Sequence, residues 1–302
     1  MIGILCNNSD MDFFKDFVEK NVKNEEVLIF NIQDLDYEKN NVKGILIKKD
    51  IIIYDYFKIP DIIFNFSIQY NRLNIKKLRN LVEDEKIKVF NSSNNVNQYM
   101  IYEILNSNEV FKSYLMSYRL IDKNTILLEA SFIKNNIIIP VKGTKNFIYI
   151  EKSGEYYEIY KENNIERVSK LGFKNSLNRV LKKKRFLVID SPKLIKNNQP
   201  FIIRIYLQSG KKQSLVIYEM PLFEKYNLSS NITQLVEALS IKMFEYIKKF
   251  LPNLFLIYFD FIFDLGENPY FLRMGGADIS LFNEEIKNEI YKNIIELSFA
   301  LE

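Results

Sequence analysis

Residues 1–92 alternate between short apolar runs and stretches with apolar residues at helical spacing. MIGILC reads as a buried strand, MDFFKDFVEKNV as an amphipathic helix, and EEVLIFNI and GILIKKDIIIYDYF as strands. PDIIFNFSI is another apolar run, NIKKLRNLVEDEKI a helix and KVFNSS a strand. This alternation predicts an α/β unit with a mainly parallel sheet over 1–92. The helix VNQYMIYEILNS leads out of it.

The pattern then changes. Short β runs dominate up to Asp190: TILLEASFI, NNIIIPV, NFIYIEK, YYEIYKE and RFLVID. A basic piece, ERVSKLGFKNSLNRVLKKKR, reads as helical among them, which predicts a small α+β unit over 93–190. Over 191–302, PFIIRIYLQ and QSLVIYEM read as strands paired around Ser209-Gly210. NITQLVEALSIKMFEYIKKFL follows as a long amphipathic helix, with Asn231 or Thr233 as its cap. A hairpin joins LFLIYFDFIF to PYFLRMGG through the turn Gly266-Glu267-Asn268-Pro269, and FNEEIKNEIYKNIIELSFALE closes as a helix.

Composition removes several chemistries. The 302 residues include no His, which excludes a Ser-His-Asp triad, a Cys-His dyad and a His-ligated zinc site. Cys6 is the single cysteine, so no internal disulfide or thiolate cluster forms, and it reads as a small core residue. A net charge of +4 makes no strong case for a nucleic-acid or membrane partner. The N-terminus lacks the pattern of a signal peptide and no apolar run is long enough to span a bilayer, so a reduced cytoplasmic compartment is expected. The abundance of Ile, Lys and Asn reads as base-composition bias.

Four features carry candidate chemistry. Asp260 lies within an apolar strand, where a carboxylate must bind a cation or pair with a base; Arg273, on the second strand, is the candidate partner. Arg204, in FIIRIYL, is either an anion binder or a structural ion-pair partner. PVKGTKN could hold a phosphate through Lys142, Lys145 and backbone amides around Gly143, or be a solvent-facing turn. The basic segment Arg167, Lys170, Lys174, Arg179 and Lys182 to Arg185 reads as a solvated helix face or a polyanion-binding surface.

The order of these parts resembles an ATP-grasp protein, and within that superfamily the endospore coat-associated YheC/YheD group. The resemblance covers roughly residues 50–295 and is carried by PDIIFN, KVFNSSNNVNQYMIYEIL, IIIPVKGTKNFIYIEK, RFLVIDSPKLI with PFIIRIYLQ, LSSNIT and FDFIFDLGENPYFLRMGG. It implies an α+β ATP-grasp-like fold with an α/β N-terminal domain. In such enzymes a D-x12-E-x-N spacing on the last hairpin holds Mg²⁺ and the ATP phosphates. Here Asp260, Arg273 and Gly275 fall on it, so one ligand is kept and the central Glu is an Arg.

Other family positions depart as well. Ile139 and Gln98 stand where lysines are expected, Ile202-Ile203-Arg204 keeps only the Arg of Asp-x-Arg, the glycine-rich lid is reduced to Gly143, and the Gln-Gln near the adenine hinge is replaced around Ile189-Asp190. The resemblance therefore implies a degenerate, non-catalytic protein without a cofactor, with a structural or binding role among spore-coat proteins and no membrane partner. If the nucleotide site survives, it implies an ATP- and Mg²⁺-dependent carboxylate–amine ligase. That activity would rest on Lys142, Lys145, Arg204 and Asp260 with Asp264 or Glu267. Polyanion binding is a third reading.

Overall fold

The computed structural model describes residues 1–299 apart from 50, 93, 131–132, 143–146, 162–163, 198, 210–214, 222–227, 278 and 280–281. The first sheet contains β1 (Ile2–Leu5), β2 (Glu26–Asp36), β3 (Asn41–Lys48), β4 (Ile51–Lys58), β5 (Ile62–Asn65) and β6 (Lys88–Phe90), in the order β4-β3-β2-β1-β5-β6. β1 runs parallel to β2 and β5, and β5 parallel to β6. The other half departs from the expected parallel sheet: β2, β3 and β4 form an antiparallel meander. Only two residues separate β3 from β4, and Lys49 turns the chain with φ of 51°. A parallel neighbour would need a crossover of a dozen residues or more.

Helices α1 (Met11–Glu19) and α2 (Arg72–Glu83) cross over in the parallel half, and the Asn71 side chain caps α2 by accepting from the Leu73 N–H. Phe14, Phe17 and Val18 form the buried stripe of α1.

A second sheet contains β7 (Tyr118–Asp122), β8 (Asn136–Pro140), β9 (Ile148–Ser153), β10 (Tyr156–Lys161), β11 (Asn164–Ser169) and β12 (Arg185–Asp190), in the order β11-β10-β9-β8-β12-β7. α3 (Gln98–Asn106) and α4 (Glu109–Lys112) precede it; α5 (Lys123–Leu128) and α6 (Lys170–Val180) lie within it. Two readings from sequence are corrected here. TILLEASFI begins as helix α5, because the Asp122 carboxylate accepts from the Asn124 and Thr125 N–H groups and from the Thr125 hydroxyl, nucleating a turn that overrides strand propensity. The basic piece is helical only from Lys170; its first residues, Glu166 to Ser169, belong to β11, paired antiparallel to β10 at the sheet edge.

The third sheet follows a short ribbon of β13 (Lys196–Asn197) and β14 (Gln199–Pro200). It contains β15 (Ile202–Ser209), β16 (Leu215–Pro221), β17 (Leu256–Phe263) and β18 (Pro269–Gly275), in the order β16-β15-β17-β18. β15 and β16 pair as expected; Gly210 of their turn lies outside the described residues. The long helix α7 (Ser230–Ile247) is capped earlier than expected: Ser229, two residues before Asn231 and four before Thr233, occupies the cap position with extended backbone, so both expected caps lie inside the helix. The closing helix α8 (Glu284–Phe299) returns to the first sheet, where Tyr291 meets Phe17 edge-on at 5.4 Å.

Two features position the site. First, one contiguous apolar core joins Ile137, Ile139, Tyr149, Leu187 and Ile189 of the second sheet to Phe259, Phe261 and Phe271 of the third. Second, buried asparagines tie the first sheet to the third. Asn65 donates to the Asn91 carbonyl at 2.8 Å, and Asn91 donates to the Leu256 carbonyl at 2.7 Å and accepts from the Phe255 N–H at 2.7 Å. Asn94 donates to the Asn65 carbonyl at 2.7 Å and accepts from the Ala277 N–H at 3.0 Å. Amide side chains can satisfy loop backbone that no sheet partner reaches, as buried polar groups require.

Candidate functional site

The strand period places Arg204, Asp260 and Arg273 side by side. Arg204 on β15 and Arg273 on β18 are both direct cross-strand partners of Asp260 on the central β17. Arg204 grips the carboxylate in a two-pronged pair, Nε to Oδ1 at 2.7 Å and Nη2 to Oδ2 at 2.9 Å. Arg273 Nε donates to Oδ2 at 2.6 Å. Asp260 is fully buried, and the two arginines are 6% and 3% exposed. Burial pushes the Asp260 carboxyl up, but the Arg204 and then the Arg273 charges outweigh it and hold the group below the usual aspartate range.

Two guanidiniums thus converge on one carboxylate. Aromatic faces adjoin both: the Arg204 guanidinium carbon sits 3.6 Å from the Tyr258 ring centroid, and that of Arg273 5.4 Å from Phe147.

The remaining family positions are built for packing. Ile139 and Ile202 are fully buried in the core between the sheets, where a lysine would carry its charge into an apolar surround. Gln98 clamps the strand between Arg273 and Gly275, donating to the Met274 carbonyl at 2.7 Å and accepting from its N–H at 3.1 Å. A Cβ at Gly275 would lie 2.0 Å from Cζ of Tyr258, so that ring fills the space where a side chain would project. Asp264 accepts from the Gly266 and Asn268 N–H groups and organises the hairpin turn, in which Glu267 adopts φ of 61°. Asp190 holds the Asn136 amide at 2.8 Å.

Lys142 stands apart from this cluster, exposed on the wall of a cavity of about 710 Å³ beside α6. Gly143 and Lys145 lie outside the described residues. The structure thus joins Arg204, Asp260 and Arg273, with Gln98 and Gly275 adjoining them, and separates Lys142. Sequence reading missed Tyr258, whose ring both stacks on Arg204 and occupies the Gly275 position, and the asparagines Asn65, Asn91 and Asn94. The one available signal was a polar run, NSSNN, directly after a buried strand.

A Mg²⁺ ion does not fit the Asp260 cluster. Both Asp260 oxygens are taken by guanidinium donors, and the described residues contain no grouping of three His, Cys, Asp or Glu side chains suited to a metal. A cation at about 4 Å from a guanidinium is repelled by about 4 kcal/mol per unit charge at an effective dielectric of about 20.

The three sheets define the class: the chain has the ATP-grasp fold. Its similarity runs to a D-alanine–D-alanine ligase from Bacillus anthracis solved with ATP, at 13% identity and a TM-score of 0.58 over 99% of this chain and 97% of that one. The N5-carboxyaminoimidazole ribonucleotide synthetase of Thermotoga maritima is similar at 9% identity and a TM-score of 0.56 over 98% and 75%. The ATP-grasp ligase PsnB, complexed with a minimal precursor, is similar at 13% identity and a TM-score of 0.54 over 97% and 98%. No protein-family model and no curated protein sequence matches the chain. No helix among the described residues is long and apolar enough to cross a membrane.

Proposed function

We propose that this protein is a non-catalytic ATP-grasp chain in which an Arg–Asp–Arg cluster stands where a catalytic cation would be held. In this reading it serves as a structural or binding protein, in the manner of the endospore coat-associated YheC/YheD group, with coat proteins as its partners. The observation that carries the reading is the fully buried Asp260 carboxylate with both oxygens engaged by arginine. Ile139 in the core and Tyr258 over Gly275 support it, since each replaces a polar contact with packing. Phosphoryl transfer is mostly electrostatic stabilisation and positioning, and an active ligase would have to supply both without a free carboxylate here.

Calorimetric titration with ATP in the presence and absence of Mg²⁺ tests this. The expected result is no Mg²⁺-dependent heat at millimolar nucleotide. Micromolar binding that requires Mg²⁺ would overturn the proposal and make a carboxylate–amine ligase the reading to pursue.

A further inference from the structure

Apart from Phe147, the apolar side chains of the second sheet that line the cavity beside α6 lie on the other face from the core that joins the two sheets. Along β8 and β12, Ile137, Ile139, Leu187 and Ile189 belong to that core, whereas Ile138, Phe186 and Val188 pack with Phe173 and Leu177 of α6. Ile148 of β9 belongs to the α6 side as well. Pro140, Ile148 and Phe186 line the cavity from the second sheet, and Ile68 and Tyr70, from the loop after β5, line it from the first. It is therefore a space between the first and second sheets, which meets the Asp260 cluster only through Phe147, the ring that also faces the Arg273 guanidinium.

Its charge is unbalanced. Glu166 is the one carboxylate in the lining, and it is already engaged: it meets Lys161 at 2.8 Å, Arg179 at 2.6 Å and the Ser176 hydroxyl at 2.7 Å. Lys142, Lys182 and Lys183 also line the cavity, and none of the three has an ion-pair partner among the described residues. Lys183 Nζ lies 5.8 Å from the centroid of the Tyr70 ring, so an aromatic surface and a cation share one rim. At about 710 Å³ the cavity falls in the usual range for small-molecule sites, roughly 300–1,000 Å³.

We infer that this cavity binds an organic phosphate with a flat apolar body, without a divalent cation. Lysines act as point charges suited to a multivalent oxyanion, whereas a lone carboxylate is better matched by the planar fork of arginine. The apolar floor and the Tyr70 ring offer burial that inorganic phosphate cannot use. The site does not rest on the Asp260 reading: its lysines lie outside the cluster, and Phe147 is the one lining residue that faces an arginine of it.

The test is fluorescence titration of the full chain with 1-naphthyl phosphate, alongside 1-naphthol and inorganic phosphate. Saturable binding is expected, unchanged by Mg²⁺, with each half-ligand at least about tenfold weaker. Lys182→Glu with Lys183→Glu should weaken it at least about tenfold, and Lys142→Glu should weaken it severalfold. These side chains are exposed, so thermal melts of the variants should match the parent. Absence of saturation at millimolar ligand, or affinity that the lysine variants leave unchanged, would overturn the inference while leaving the Asp260 proposal intact. Binding that depends on Mg²⁺ would contradict both.

Discussion

Asp260→Ala is expected to cost about 3–5 kcal/mol of folding stability, read as a fall in the urea midpoint at nearly constant slope. The loss comes less from the ion pairs themselves than from what remains: two buried guanidiniums, Arg204 and Arg273, on neighbouring strands with the carboxylate between them removed. Replacing all three together, Arg204→Met, Asp260→Leu and Arg273→Met, should recover most of that loss, because buried ion clusters exchange for apolar packing at little net cost. A carboxylate held open for a metal would behave in the opposite way, since its removal would relieve repulsion and leave no orphaned charge. The sign of the pH dependence follows from the depressed Asp260 pKa. The contribution is complete above the ordinary aspartate value of about 3.9 and is lost as pH falls below it, through the lower native value. The Asp260 component of acid unfolding should therefore fall below about pH 4 in the parent and be missing in the Met/Leu/Met variant.

Gly275→Asn, which restores the residue type expected of an active member, is predicted to lose stability at or above the ~1–3 kcal/mol range of ordinary overpacking. An added Cβ would lie 2.0 Å from Cζ, 2.2 Å from Cε1 and 2.4 Å from the hydroxyl oxygen of Tyr258. That ring cannot simply swing aside, because it is 4% exposed and stacked on the Arg204 guanidinium. Adding Tyr258→Ala should rescue much of the loss, giving a coupling energy above about 1 kcal/mol in a double-mutant cycle by urea denaturation. Two independent losses that simply add would mean that Tyr258 is not what keeps this position a glycine.

That Asp260 and Arg273 lie on the two strands of one hairpin was legible in the sequence, but their direct pairing depends on a β-bulge between Asp260 and Phe261, since the register running from Phe263 opposite Pro269 would otherwise set Asp260 against Leu272. The grip of Arg204 was not legible. β15 reaches β17 only after β16 and α7 intervene, and nothing local says which of its neighbours it will face. The fold class was readable from the order of apolar runs, yet local chemistry defeated the reading at two points: an Asp122 cap made a helix of a strand-like run, and an exposed edge strand, β11, carried charges that looked helical. The asparagines were hidden by abundance. In a chain this rich in Asn, nothing distinguished Asn91 and Asn94, which are buried and bonded to the backbone of three segments, from those that are merely frequent. The α6 cavity escaped notice because its walls come from segments around residues 70, 140 and 182, brought together only by the packing of two sheets.

Electron paramagnetic resonance of Mn²⁺, with ATP and without it, asks whether Asp260 is an ion-pair partner or a metal ligand. With the carboxylate enclosed by Arg204 and Arg273, adding the protein should leave the Mn²⁺ spectrum unchanged. A stoichiometric, immobilised Mn²⁺ signal that disappears in Asp260→Asn would contradict the proposal and return this chain to the catalysts of its fold.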